Sequence, residues 1–254
     1  MIELSLIGIG TGNPDHLTRA AEAAMRAADL VLLPRKRAET TDLLDLRRSL
    51  CTTILPPGAA IAEFDLPERD ADAPYRAAVD QWHDRIAHAW VAQIASHLPD
   101  GGKLALLVWG DPSLYDSSLR IAERVSAGGL PIRLSVVPGI TSLQALTAAH
   151  TIPLNEIGAP VLVTTGRRLL DGGWPEGVDT VAVMLDGRCA FAAIDPTGLH
   201  IWWGAYLGMK QQALAAGPLA DMSGPIRARR AALRAEHGWI MDTYLLRRRS
   251  GQSR

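Results

Sequence analysis

The chain opens on Ile2–Ile7, which reads as a buried strand, followed by the turn-rich stretch GIGTGNPD. Thr18 is placed to cap an alanine-rich helix running to about Ala28. Leu30–Leu33 is then a second short strand, ended by Pro34. A strand–loop–helix–strand opening is the signature of a parallel α/β sheet. Residues 56–75 are rich in proline and acid and lack periodicity, which predicts an irregular excursion. Val79, Trp82, Ile86, Trp90 and Ile94 then recur every three or four residues and predict one apolar face of a long helix to about Leu98. Pro99-Asp100-Gly101-Gly102 stops it. Leu104–Val108 reads as a strand, about Ser118 to Ala127 as a helix, and Ile132–Val137 as a strand.

VVPGITS begins a tight turn into a further helix, and the boundary between two α/β domains is predicted near Pro138, giving 1–137 and 138–254. The second half carries strands at 161–165, 180–185 and 199–203, a helix around 223–236 and a closing strand Ile240–Leu246. It reads as a mixed sheet with helices.

Composition narrows the partners. Net charge is −1, so no global field gathers nucleic acid or an anionic membrane, and neither is expected as a partner. The basic residues are 23 arginines and three lysines, a bias that composition alone can produce, so the count is no evidence for anion recognition. Eight arginines lie in 227–254 and read as a solvated helix face and a frayed end. Cys51 and Cys189 have no metal-ligand spacing and suggest a reducing compartment, so no metal and a cytoplasmic location are expected. The opening has no basic run and carries Glu3, and no apolar stretch approaches the roughly 20 residues of a membrane span.

Four loops follow apolar runs: 8–16, 109–117, 138–142 and Met184-Leu185-Asp186-Gly187. The first lacks the last glycine of the dinucleotide fingerprint, since Asn13 stands there. There is no phosphate-binding lysine loop, no nucleophile elbow and no zinc-protease motif. Taken singly, each loop is an ordinary turn. Ligands of open α/β sheets, however, bind outside the carboxyl ends of the strands, which is where these loops fall. In WGDPSLYDSS, Gly110 permits close backbone approach, Pro112 fixes the turn, and Asp111 reads as a solvent-facing carboxylate able to meet amino or hydroxyl groups. Arg167-Arg168, just after VLVTTG, are placed to meet ligand carboxylates, and Trp202-Trp203 read as packing, with one indole placed to face a flat ligand.

In order, IGIGTGNPDHLT, GDPSLYD, PGITSLQALTAAHTIPL and VAVML resemble the motifs of the tetrapyrrole (precorrin) methylase family. The variants WGDPSLYDSSLRI, IPLNEIG, TTGRRL and IWWGAYLG resemble its deacetylating member in aerobic cobalamin synthesis, which methylates carbon 1 of the macrocycle and releases acetate. The resemblance implies two α/β domains of tetrapyrrole methylase type with S-adenosylmethionine (SAM) in the cleft between them, S-adenosylhomocysteine as product, precorrin-5 as substrate and a homodimer. Carried over by position, the cofactor contacts are Gly10, Thr11, Trp109, Gly110, Asp111, Leu114, Thr141, Ser142, Met184, Ala205 and Tyr206. Thr11 departs from the family's usual proline, and WWGAYLG replaces the family's Asn-Gly/Ala-Thr segment. Methyl transfer from a sulfonium asks mainly for positioning. Acetyl release needs activated water, for which Tyr115 and Asp116 are the candidate catalytic groups, with Asp15 and His16 as further candidates. Another precorrin methyltransferase, a diphthine synthase, or a non-catalytic binder of a corrinoid intermediate remains an alternative.

Overall fold

Five parallel strands form the first sheet of the computed structural model, which describes residues 1–35, 41–70, 72 and 74–248. They are Ile2–Gly8 (β1), Leu30–Arg35 (β2), Ala60–Asp65 (β3), Gly102–Val108 (β4) and Ile132–Val137 (β5), in the order β3-β2-β4-β1-β5. β4 from Leu104 to Val108 and the first four residues of β2 are apolar on both faces because both faces are covered there. Tyr75–His97 (α3) and Ser118–Ala127 (α4) pack Ile86, Trp90, Ile121 and Val125 on Leu4, Leu6, Leu32 and Leu106. Arg19–Arg26 (α1) and Thr41–Ile54 (α2) bury Met25, Leu44 and Leu50 against Ile7, Val31 and Leu107 on the other face. Each large side chain so buried contributes about 1.5–3 kcal/mol. Thr18 caps α1 as expected, its hydroxyl accepting from Ala21 N.

The second sheet is mixed. Val161–Thr165 (β6) and Thr180–Met184 (β7) run parallel. Leu199–Ala205 (β8), Ala213–Pro218 (β9) and Asp242–Arg248 (β10) join through antiparallel pairs, in the order β6-β7-β10-β8-β9. Ser142–His150 (α5) packs Leu146 on Leu245 at one face. Gly166–Gly172 (α6) and Leu219–His237 (α7) cover the other, with Leu169, Leu219 and Ile226 against Val183, Ile201 and Tyr244. Contacts divide the chain into two units, residues 1–140 and 141–254.

Several expectations are corrected. β2 does not end at Pro34. It continues to Arg35, because the ladder with β4 stops at the Leu32–Leu106 pair and the missing proline N–H interrupts nothing there. The excursion at 56–75 contains β3, an edge strand whose Ala62 and Phe64 reach the core while Ile61 is exposed. The sequence pattern predicts no element where α2, α6 and β9 form. α7 starts at Leu219, and Gly224-Pro225 lie within it instead of opening it. The closing strand lies two residues later than expected.

Candidate functional site

The chain leaves β1 toward β2 through α1 on one face, and leaves β4 toward β5 through α4 on the other, so the neighbours β1 and β4 send their connections in opposite directions. This is the switch point at which open α/β sheets bind ligands. There Gly10 and Gly110 exchange main-chain hydrogen bonds, Gly10 N to Gly110 O at 3.3 Å and Gly110 N to Gly10 O at 2.8 Å. Both have positive φ, +72° and +67°, which favours glycine. A side chain on Gly8 would start 2.6 Å from Gly139 N and 2.8 Å from Gly110 O. One on Gly139 would run into Gly110 O. The ends of β1, β4 and β5 therefore meet as bare main chain.

Asp111 is the clamp on this junction, and the expectation that it faces solvent is overturned. It is 8% exposed. Its Oδ1 accepts from Ser113 N (2.8 Å) and from Ser113 Oγ, and its Oδ2 accepts from Gly139 N at 2.8 Å. Burial opposes the charge, but the bonds from Ser113 Oγ, Gly139 N and Ser113 N outweigh it and hold the carboxyl below the ordinary range. Thr11 is also buried, its Oγ1 3.2 Å from His16 Nδ1, so that pair braces the first loop. Asp15 is exposed beyond it.

Trp109 packs against the α1–α2 side of the core and Leu114 is half-buried. Tyr115 is 45% exposed with φ +50°. Burial of its hydroxyl pushes the phenol up. Asp116 lies beside it, its Oδ1 accepting from Ser118 N at 2.7 Å at the start of α4. The sequence reading missed Arg47 on α2, whose Nε donates to Leu107 O at 3.1 Å, within two residues of Trp109. The reason is local. Continuing the β2–β4 register past Leu32–Leu106 would set residue 34 to donate to Leu107 O, and Pro34 has no N–H. Arg47 supplies the absent donor. A proline at the end of a strand that should pair was the available signal.

In the second unit Thr141 caps α5. Its Oγ1 accepts from Leu143 N at 3.2 Å while Gln144 Oε1 accepts from Thr141 N at 3.1 Å, and half-buried Ser142 opens the helix. Met184 ends β7 half-buried, and Leu185 after it is 67% exposed at φ +53°. Asp186 anchors this turn, accepting from Arg188 N (2.9 Å), Ala190 N (2.6 Å) and Tyr244 Oη (2.7 Å). Gly166 is required because a Cβ there would meet Asp186. Ala205 and Tyr206 are buried, and the Tyr206 hydroxyl donates to Trp239 O. What they offer a ligand is main chain. Tyr206 also has positive φ, +49°. Tyr115, Leu185 and Tyr206 thus place non-glycine residues in a disfavoured conformation just past β4, β7 and β8, the kind of strain that gathers at functional loops.

Arg167 and Arg168 are exposed in the first turn of α6. Neither tryptophan stands clear as a platform for a flat ligand. Trp203 is buried, its Nε1 donating to Asp242 Oδ2 at 2.8 Å, and half-buried Trp202 lies against His200 and under Arg247. The arginine-rich end is not wholly solvated either. Arg230 pairs with Asp242 at 2.9 Å in the interior, and buried Arg247 bonds Thr180, Glu156 and two main-chain carbonyls. Arg249 and Arg254 lie outside the described residues.

A model of the family Tetrapyrrole (Corrin/Porphyrin) Methylases matches residues 3–223. The chain is 45% identical over 251 residues to the precorrin-6A synthase (deacetylating) of Sinorhizobium sp, covering 98% of this chain and 96% of that one. Among solved structures it is similar to a cobalamin synthesis related protein (CobF) of Corynebacterium diphtheriae, with TM-score 0.84 and 39% identity over 98% of this chain and 99% of that one. The uroporphyrin-III C-methyltransferase of Thermus thermophilus complexed with S-adenosylhomocysteine shares the fold at TM-score 0.58 and 19% identity, over 96% and 91% of the two chains.

Proposed function

Because the chain belongs to the tetrapyrrole (corrin/porphyrin) methylases, we propose that it methylates a corrinoid intermediate from SAM as a step of cobalamin biosynthesis. The reaction is methylation of precorrin-5 at carbon 1 with release of acetate, giving precorrin-6A. The observation that carries this is the near full-length 45% identity with the deacetylating synthase.

The residues present fit the cofactor. At the switch point Gly8, Gly10, Gly110 and Gly139 leave main chain in place of side chains, and Asp111 fixes that main chain by buried hydrogen bonds. In the first unit Gly10, Thr11, Trp109, Gly110, Asp111 and Leu114 are the proposed contacts. In the second they are Thr141, Ser142, Met184, Ala205 and Tyr206. Bound SAM supplies a methyl group on a positively charged sulfur. The protein's part in that step is to hold the reacting atoms in line, which supplies several kcal/mol without a side-chain nucleophile.

Acetate release asks more of the chain. Water must add to the acetyl carbonyl, and the electron pair of the broken carbon–carbon bond stays with the macrocycle. Asp116 presents a carboxylate able to take the proton of the water, and Tyr115 a hydroxyl able to donate to the developing oxyanion. No metal is needed for either step. The protein is proposed to act as a cytoplasmic homodimer, without nucleic acid or membrane as partner. Among the described residues no helix is long and apolar enough to cross a membrane.

The experiment is to mix the protein with SAM and precorrin-5 under nitrogen and follow absorbance, product mass and acetate. Methylated, deacetylated product with stoichiometric acetate is expected. Methylation without acetate would assign a different methyltransferase, and no turnover on folded protein a binding role.

A further inference from the structure

Resting on that reading, we propose that Arg47 receives a peripheral carboxylate of the tetrapyrrole substrate and so sets how it lies at the carboxyl end of β4. Arg26, Arg35, Arg48, Arg124 and Arg133 of the same unit each have an acid within 4.0 Å. Half-buried Arg47 has none among the described residues. Its Nε is fixed on Leu107 O at 3.1 Å and its Nη1 reaches Leu43 O only at 3.5 Å. Among the described residues Nη2 makes no hydrogen bond, and it is not one of the side-chain nitrogens sealed from solvent without a partner.

A guanidinium anchored through Nε presents the fork that carboxylates bind in two-point fashion. Burial lowers its pKa to about 10, and the charge of Asp116 only partly offsets this. It therefore stays charged at neutral pH, with the desolvation of a half-buried cation and no direct acid partner. An arriving carboxylate relieves that. The substrate is a polycarboxylate, and Asp116, the proposed water-activating group, is the acid whose charge Arg47 senses.

Arg47 also fills the donor position that Pro34 vacates, and two variants separate these tasks. Arg47→Met removes both. Arg47→Met with Pro34→Val returns a main-chain N–H opposite Leu107 O without returning a cation. Steady-state turnover of precorrin-5 is measured with each, alongside calorimetry with S-adenosylhomocysteine and thermal melting. The expected result is a KM for precorrin-5 raised at least tenfold in both, with S-adenosylhomocysteine affinity within about twofold of wild type and melting restored in the double variant. Arg47→Lys should recover part of the KM. A wild-type KM in either variant overturns the proposal, as does a KM that recovers with melting in the double variant. A matching loss of S-adenosylhomocysteine affinity would assign Arg47 to the cofactor's own carboxylate and also overturns it. Wild-type protein that binds S-adenosylhomocysteine but never turns over precorrin-5 fails the proposed function itself, a different outcome.

Discussion

The main-chain N–H of Gly139 donates to Asp111 Oδ2 at 2.8 Å, so one charged hydrogen bond joins the loop after β4 to the end of β5 across the end of β1. Asp111→Ala leaves Gly139 N and Ser113 N without their acceptor in a buried setting. A loss of about 1.5–3 kcal/mol in stability is expected, together with weaker SAM binding. Because the folded pKa lies below the unfolded one, the carboxylate's contribution is present above the unfolded value and is lost as pH falls through the folded one. Urea melts of wild type and Asp111→Asn should converge as pH is lowered from about 5 toward 3. Parallel curves would mean that the charge does not matter.

Gly139→Ala adds one methyl group where only main chain fits. It should cost about 1–3 kcal/mol by overpacking and abolish S-adenosylhomocysteine binding, since Gly8 and Gly110 must move apart. Gly172→Ala, where a Cβ meets nothing within 4 Å, is the matched control and should do neither. Calorimetry and thermal melts read both.

Asp242 sits in the second unit between Arg230 Nε at 2.9 Å and Trp203 Nε1 at 2.8 Å. Burial raises its carboxyl above the usual range, and Arg230 and Trp203 pull the other way. Arg230→Met leaves a buried carboxylate without its cation and should destabilise by about 3–5 kcal/mol at neutral pH. A carboxyl whose folded pKa is raised takes up its proton more readily folded than unfolded. Stability lost in this variant should therefore return as pH falls toward and through that folded pKa. Adding Asp242→Asn should remove the pH dependence, which denaturant titrations at several pH values will show.

Tyr115→Phe and Asp116→Asn test the acetyl-release step. Asp116→Asn keeps an acceptor for Ser118 N, so the start of α4 should hold. Each variant should bind SAM normally and form acetate more slowly, by the roughly 10²–10⁴-fold typical of general acid–base groups. Single-turnover mass spectrometry with acetate quantified in parallel reads it. Wild-type acetate yields would clear both residues and turn attention to Asp15 and His16.

What was legible in the sequence was whatever depended on continuous burial. β4 is an uninterrupted apolar run from Leu104 to Val108 because helices cover both faces there, β1 and β5 keep an apolar residue at every second position around Glu3, Ser5, Arg133 and Ser135, and α3 shows its face every three or four residues. β3 was not legible. As an edge strand it buries only Ala62 and Phe64, and the prolines and acids around it look like loop. The site divided along the same line. The loops of the candidate site could be placed because they follow strands, but the structural role of Asp111 could not, since its partner Gly139 lies 28 positions away. Pro34 at the end of β2 signals a missing donor, but nothing local says that Arg47 supplies it, since the two are paired only by the point at which the β2–β4 ladder stops. The buried Arg230–Asp242 pair was likewise hidden among arginines that composition alone could explain.

The wall at the switch point is polypeptide backbone, and that limits how the enzyme can be re-engineered. Accepting a SAM analogue with an enlarged transferable group usually means trimming a residue that blocks it. At Gly8, Gly10, Gly110 and Gly139 nothing is left to trim, and an addition at Gly8 or Gly139 displaces a strand end. Room for such a reagent has to be opened at proposed contacts that still carry side chains, such as half-buried Leu114 in the first unit.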